Sequence, residues 1–181
     1  MKRLILLALT LTLALPLTAA EFDIDSSHTF LTFKVSHINT GLTVGQFRKV
    51  EGSLDLDAGK LEITAYANSL DSNDAKRDEH LKGPDFFNVK QFPVLRFTAS
   101  KIEKKSDKVY QVTGTLLLHG RKQMITIDLT KVGEGKDPWG GYRTGYEASF
   151  KLNRDDYGMS YGAAMVGNEV EVYFSTEAIR K

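Results

Sequence analysis

The sequence predicts an all-β domain, an antiparallel barrel of about eight strands with one short helical insertion. Three observations carry that expectation. Apolar and polar residues alternate with period two along most of the chain, the pattern of strands with one face turned inward. Short clusters of turn-forming residues separate the alternating runs: Asp57-Ala58-Gly59, Lys105-Ser106-Asp107, His119-Gly120-Arg121 and Asp137-Pro138-Trp139-Gly140-Gly141. Strands joined by such short turns pair antiparallel. Finally, Gly45, Gly52, Gly114 and Gly145 sit inside runs, where a closing sheet needs bulges or tight bends.

The elements follow in order. Residues 1–20 read as an export signal: Lys2 and Arg3, an apolar run from Leu4 to Leu15, Pro16, then Thr18 and Ala20 as small residues before Glu21. The run is about 12 residues, too short to span a bilayer, which takes roughly 20. With no cysteine after it, anchoring through a lipidated cysteine is excluded. The expected domains are therefore a signal over 1–20 and a mature barrel over 21–181, destined for the periplasm.

In the first strand, Leu31, Phe33, Val35 and His37 share a face. The run from Gly45 to Asp57 reads as a second strand. Leu61, Ile63, Ala65 and Ala67 mark the third. Residues 71–90 then lose the alternation. Within them, Asp74 to Lys82 suits a short helix, with Asp71, Ser72 or Asn73 as its cap and Gly83-Pro84 as its stop. Alternation resumes at Leu95, Phe97 and Ala99. It continues through Val109–His119, through Ile125, Ile127 and Leu129, and from Tyr142 to Leu152. It ends at Val170, Val172, Phe174 and Thr176. A closed ring of this size fills its interior with side chains or holds one ligand. The outward positions Glu62, Arg143, Glu147, Lys151, Glu169 and Glu171 are charged, which excludes a membrane-spanning barrel.

Composition narrows the function. The 181 residues contain no cysteine, so disulfide scaffolds, thiolate metal sites and cysteine nucleophiles are out. Lys and Arg number 24 against 23 Asp and Glu, without the basic surplus of a nucleic-acid binder. Gly158-Met159-Ser160-Tyr161-Gly162 spells the G-x-S-x-G of a nucleophile elbow. That chemistry needs a strand–turn–helix context and a later histidine, and none follows His119. His28, His37, His80 and His119 lack metal-ligand spacing, so a zinc site would require the fold to gather distant histidines. A weak hydrolase using Ser160 or such a gathered site is the remaining enzymatic alternative; no metal and no enzymatic activity are expected. His37 continues an apolar face as a polar anchor. Arg77 and His80 lie in the densest ionisable cluster. They read either as a clamp for an anionic head group or as an ordinary helix terminus with local ion pairs. Phe86, Phe87, Phe92 and Pro93 either plug a barrel end or line a pocket.

These pieces together resemble the YceI-like family of periplasmic lipid-binding proteins. The matching residues are Asp25-Ser26-Ser27-His28, Phe33-Lys34-Val35-Ser36-His37 and Gly45-Gln46-Phe47. Arg77-Asp78-Glu79-His80-Leu81 with Asp85-Phe86-Phe87-Asn88-Val89 follows, then Phe92-Pro93, Phe97, Gly114-Thr115-Leu116, His119-Gly120 and Asn153-Arg154-Asp155-Asp156-Tyr157-Gly158-Met159. The resemblance covers essentially the whole mature chain. It implies a lipocalin-like barrel whose apolar cavity holds a polyisoprenoid chain (a quinone or polyprenyl phosphate) or another long amphiphile. It also implies a homodimer in at least some members; transient membrane contact is a further expectation for a lipid-binding protein. Where the family commonly has Phe, this chain has Tyr157.

The expected tail contacts are Phe33, Val35, Phe86, Phe92, Phe97, Phe150 and Met159. The expected polar mouth is His37, Arg77, His80 and Tyr157. No cofactor is expected beyond a bound isoprenoid lipid. The alternative is a structural or stress-response protein with a filled barrel, acting through a protein partner.

Overall fold

The computed structural model describes residues 20–181. The export signal expected over 1–20 lies, up to residue 19, outside the described residues. Ten strands form: β1 (Phe22–His37), β2 (Gly41–Phe47), β3 (Val50–Asp55), β4 (Lys60–Tyr66), β5 (Leu70–Asp71), β6 (Val94–Lys104), β7 (Val109–Leu118), β8 (Arg121–Lys136), β9 (Tyr142–Asn153) and β10 (Val166–Arg180). One helix, α1 (Ala75–Lys82), and two short 3₁₀ turns, Ala67–Ser69 and Arg154–Tyr157, complete the domain.

The sheet runs β10-β9-β8-β7-β6-β4-β3-β1-β2-β5, and β10 also pairs with β1. Eight strands therefore close a ring, every pair antiparallel; along the edge of β1 that pairs with β3 at the foot, β2 takes over in the upper half, with β5 beyond it. Closure removes the sheet edges that a ring of alternating strands would otherwise expose.

The expected single strand from Gly45 to Asp57 is two. β2 pairs with the upper part of β1 (Leu31↔Phe47) and β3 with its foot (Phe22↔Leu54). Between them Arg48 and Lys49 turn away, because Arg48 N–H bonds to Ser69 O (3.0 Å) and Lys49 O accepts from Tyr66 N–H (3.0 Å). The helix forms where expected, but its cap is Asp74, whose carboxylate accepts from Arg77 N–H at 2.7 Å. The three candidates are committed elsewhere. Asp71 holds Arg48 and Asn73 N–H, Ser72 holds Asp78, and Asn73 is left-handed at φ 66°.

The lower half of the barrel is packed. Val50, Leu54, Val112, Leu129, Thr144 and Ala178 are fully enclosed, and Tyr110 meets Tyr146 edge-on at 6.3 Å. Its foot is locked by a bulge in β1, where the pairing with β10 jumps from Ile24↔Ala178 to Thr29↔Thr176. Asp25 organises that bulge. Its carboxylate accepts from Arg143 Nη1 (2.7 Å), Ser27 Oγ (2.6 Å) and Ser27 N–H (3.0 Å), and contacts His28 Nδ1 (2.9 Å). The Arg143 guanidinium, then the Ser27 hydroxyl, hold the Asp25 carboxyl far below the usual carboxylate range. With a depressed folded-state value, this stabilisation is complete above the unfolded-chain pKa of about 3.9. It is lost as the pH falls below that toward the folded value. Asp25→Asn is expected to cost about 1–3 kcal/mol at pH 7, as the loss of charge-assisted hydrogen bonds does. The gap from the parent protein should narrow between about pH 4 and pH 2. Urea unfolding at both pH values checks this; a gap that is independent of pH refutes it.

Candidate functional site

Above the packed half the barrel is hollow. The same inward faces that fill its foot line a cavity of about 400 Å³ toward the other end. β1 contributes Leu31, Phe33, Val35 and His37; β10 contributes Val166, Val170, Val172 and Phe174. Phe150 and Leu152 come from β9, Ile125 and Ile127 from β8, Leu116 and Leu118 from β7, and Leu95 and Phe97 from β6. Leu31, Phe33, Leu116, Ile125, Ile127 and Val172 point inward yet retain partial exposure. Their strands are hydrogen-bonded to neighbours on both sides, so that exposed surface faces the hollow.

Sequence sets the shape. In the β1–β2 ladder Phe33 lies opposite Gly45. A Cβ at Gly45 would come within 2.4 Å of the Phe33 ring, so only glycine leaves room for it. Phe47 and Phe87 complete an aromatic wall with Phe33, with ring centroids 5.4–6.1 Å apart.

The mouth is built by the insertion carrying α1 and by the loop before β10. Arg77, His80, Leu81, Phe86 and Phe87 cover one side; Met159, Tyr161, Gly162 and Met165 cover the other. His80, Phe86 and Tyr161 meet edge-on with centroids 5.1–5.5 Å apart, bridging the two sides. Arg77 is braced on Ser72, Nε to Oγ at 2.8 Å and Nη2 to the carbonyl at 2.5 Å. His80 Nε2 lies 3.0 Å from Asp85 Oδ2.

Arg154 is the residue that sequence reasoning undervalued. It appeared only inside a family motif, with no role. It is 4% exposed, and it lies at the cavity wall. Its guanidinium donates to four carbonyls, those of Gly167 (2.9 Å), Tyr161 (2.8 Å), Val166 (3.0 Å) and Met159. The loop from Gly158 to Val166 is thus folded around this one side chain.

Of the expected tail residues, Phe33, Val35, Phe86, Phe97, Phe150 and Met159 line the cavity, as do His37, Arg77 and His80 of the expected mouth. Phe92 and Tyr157 do not. Phe92 packs on the His119 ring, centroids 4.5 Å apart, and over Gly120 in the β7–β8 turn. Both turn residues are left-handed, at φ 50° and 74°, so the hairpin presents a flat top that an aromatic ring can cover. Tyr157 is buried beside Leu118 and Met159, outside the cavity, and burial pushes its phenol pKa up. Its carbonyl accepts from His119 Nδ1 at 3.1 Å. The Gly158–Gly162 motif lies between a 3₁₀ turn and a strand, not in a strand–turn–helix elbow. Tyr161 and Met165 were missed because their loop shows no periodicity.

Comparison with known proteins agrees with this architecture. The profile of the YceI-like domain matches residues 22–178. A UPF0312 protein of Photorhabdus laumondii is 35% identical over 166 residues, covering 89% of this chain and 86% of the relative. Among solved structures, Burkholderia cenocepacia BcnA superposes with a TM-score of 0.75 at 21% identity, over 85% of this chain and 98% of BcnA. A polyisoprenoid binding domain from Saccharophagus degradans superposes with a TM-score of 0.72 at 18% identity, over 88% and 98%.

Proposed function

The chain belongs to the YceI-like domain family, and on that premise we propose that it carries or stores a long-chain isoprenoid lipid, of the quinone or polyprenyl phosphate class, in the periplasm. The observation that carries this reading is the one-ended cavity: about 400 Å³, walled by aliphatic and aromatic side chains, with its polar groups gathered at the mouth. The volume falls in the range of small-molecule sites. An apolar tail gains about 0.8 kcal/mol per buried CH₂, on the order of 4 kcal/mol for each five-carbon unit, before ordering costs. Few polar contacts are then needed. His37, Arg77 and His80 stand where a head group would emerge. The polyisoprenoid binding neighbour supports the choice of tail. The hollow upper half favours this reading over a filled barrel acting through a protein partner. Export rests on the amino-terminal signal pattern.

Native mass spectrometry of protein purified from its own periplasm, followed by organic extraction, tests the proposal. A stoichiometric adduct that extracts as an isoprenoid lipid is the expected result. A bare mass, with no uptake of added quinone or polyprenyl phosphate, refutes it.

A further inference from the structure

We propose that the cavity mouth docks on a lipid bilayer through an uncharged apolar rim formed by Ile38, Leu42, Tyr161 and Met165. The inference rests on the lipid-binding reading and adds the surface through which cargo is exchanged. All four side chains are exposed: Leu42 is 62% exposed, Met165 51%, Ile38 50% and Tyr161 45%. They belong to the β1–β2 hairpin and the loop before β10, which are tied together, since Ile38 N–H donates to Met165 O at 2.6 Å. Tyr161 and Met165 also line the cavity, and Leu42 faces Ser36 one step from His37 at its lip. The patch and the opening are therefore one continuous surface.

Two independent features mark this rim as more than incidental. The first is backbone strain. Ile38 adopts φ 46° and Asn39 φ 55°, successive left-handed residues at the tip of the β1–β2 turn. Such positions favour Asn or Gly, and a β-branched residue there is a costly outlier. An apolar side chain is held out to solvent at a position where a polar one would fold better, a mark of function over stability. The second is charge. In a chain with 26% charged residues, residues 35–47 and 157–168 contain no Asp, Glu, Lys or Arg. The facing α1 carries Lys76, Arg77, Asp78, Glu79 and Lys82. One side of the mouth can thus enter the interfacial zone without desolvating an ion, while the other stays among water and head groups. Tyrosine suits that boundary.

The occupant follows from the cargo. A tail that leaves by this mouth into water would surrender its burial, so the mouth must abut another apolar phase. An uncharged rim fits a bilayer of any head-group charge.

The test is flotation of the mature protein with phosphatidylcholine vesicles, with and without phosphatidylglycerol, at low and high salt. Comparable flotation in all four conditions is expected. The emission of Trp139, on the β8–β9 turn at the far end, should stay unchanged. Ile38→Asp with Leu42→Asp, at two rim positions that do not line the cavity, should reduce flotation at least tenfold while uptake of quinone added from ethanol, read by native mass spectrometry, is unaffected. Ile38→Asn should weaken flotation and raise the Tm, because it relieves the left-handed strain; that variant guards against misfolding. Flotation that is absent in the parent protein, unchanged in the variants, or abolished by salt overturns the docking surface. So does a Trp139 shift. Flotation without quinone uptake overturns the lipid-carrier reading but leaves the docking surface standing.

Discussion

Arg154→Leu is expected to lower the unfolding free energy by about 3–5 kcal/mol, through the loss of four hydrogen bonds from one buried, charged donor. Lipid retention should fall with it. The substitution leaves the carbonyls of Met159, Tyr161, Val166 and Gly167 without their shared donor. A buried acceptor stripped of its partner costs about 1–3 kcal/mol. The bonds to Tyr161, Val166 and Gly167 are only part-buried, so water can replace the donor at some of these carbonyls, and this keeps the sum below four full penalties. Among the described residues no carboxylate hydrogen-bonds to the guanidinium, so its charge is dispersed over carbonyl dipoles that a leucine cannot satisfy. Arg154→Lys should be intermediate, because an ammonium has three donors and no planar fork to reach all four carbonyls. Urea midpoints for the three proteins check the order. If Arg154→Leu unfolds at the parental midpoint, the side chain does not organise the loop.

That residue shows where sequence reading runs out. The inward faces of the barrel were legible because strand periodicity assigns every second residue to one side. Leu31, Phe33, Val35 and His37 could be placed on a common face from the chain alone. Arg154 has no such pattern. Arginine is almost always exposed, and only the fold brings four carbonyls from residues 159–167 around this one. Phe92 failed for a related reason. Its aromatic bulk fits a cavity wall as well as a turn cover, and the choice is made by a distant partner, the left-handed His119-Gly120 pair. The split at Arg48-Lys49 shows in the chain only as a slip of phase, the inward positions passing from Gly45 and Phe47 to Val50 and Leu54, which a bulge within one strand would also produce. Bonds to Ser69 and Tyr66 break the strand, and those residues lie about 20 positions away. Strand faces are a local property, whereas loops and handovers depend on contacts far along the chain.

Phe150→Asp should remove bound lipid without unfolding the barrel, with affinity falling at least about 100-fold, the equivalent of ~3 kcal/mol for an unpaired polar group against an apolar tail. The choice of residue matters. Phe97 also lines the cavity, but it belongs to the enclosed core, so a carboxylate there tests folding rather than binding. Phe150 is only half-buried, opposite Val172 in the β9–β10 ladder, with one face on the hollow. Water can therefore solvate an introduced carboxylate in the empty protein. In the loaded protein the tail displaces that water and leaves the charge without a partner. Desolvation would then raise the introduced carboxyl's pKa, so lipid retention should partly recover as the pH drops toward 5. A charge-free contraction, Phe150→Leu, should keep most of the lipid at both pH values. Native mass spectrometry of the three proteins at pH 7.5 and pH 5 separates these outcomes. Full occupancy of Phe150→Asp at pH 7.5 would place the tail elsewhere. Loss in Phe150→Leu as well would show that ring contact, rather than apolarity of the wall, holds the cargo.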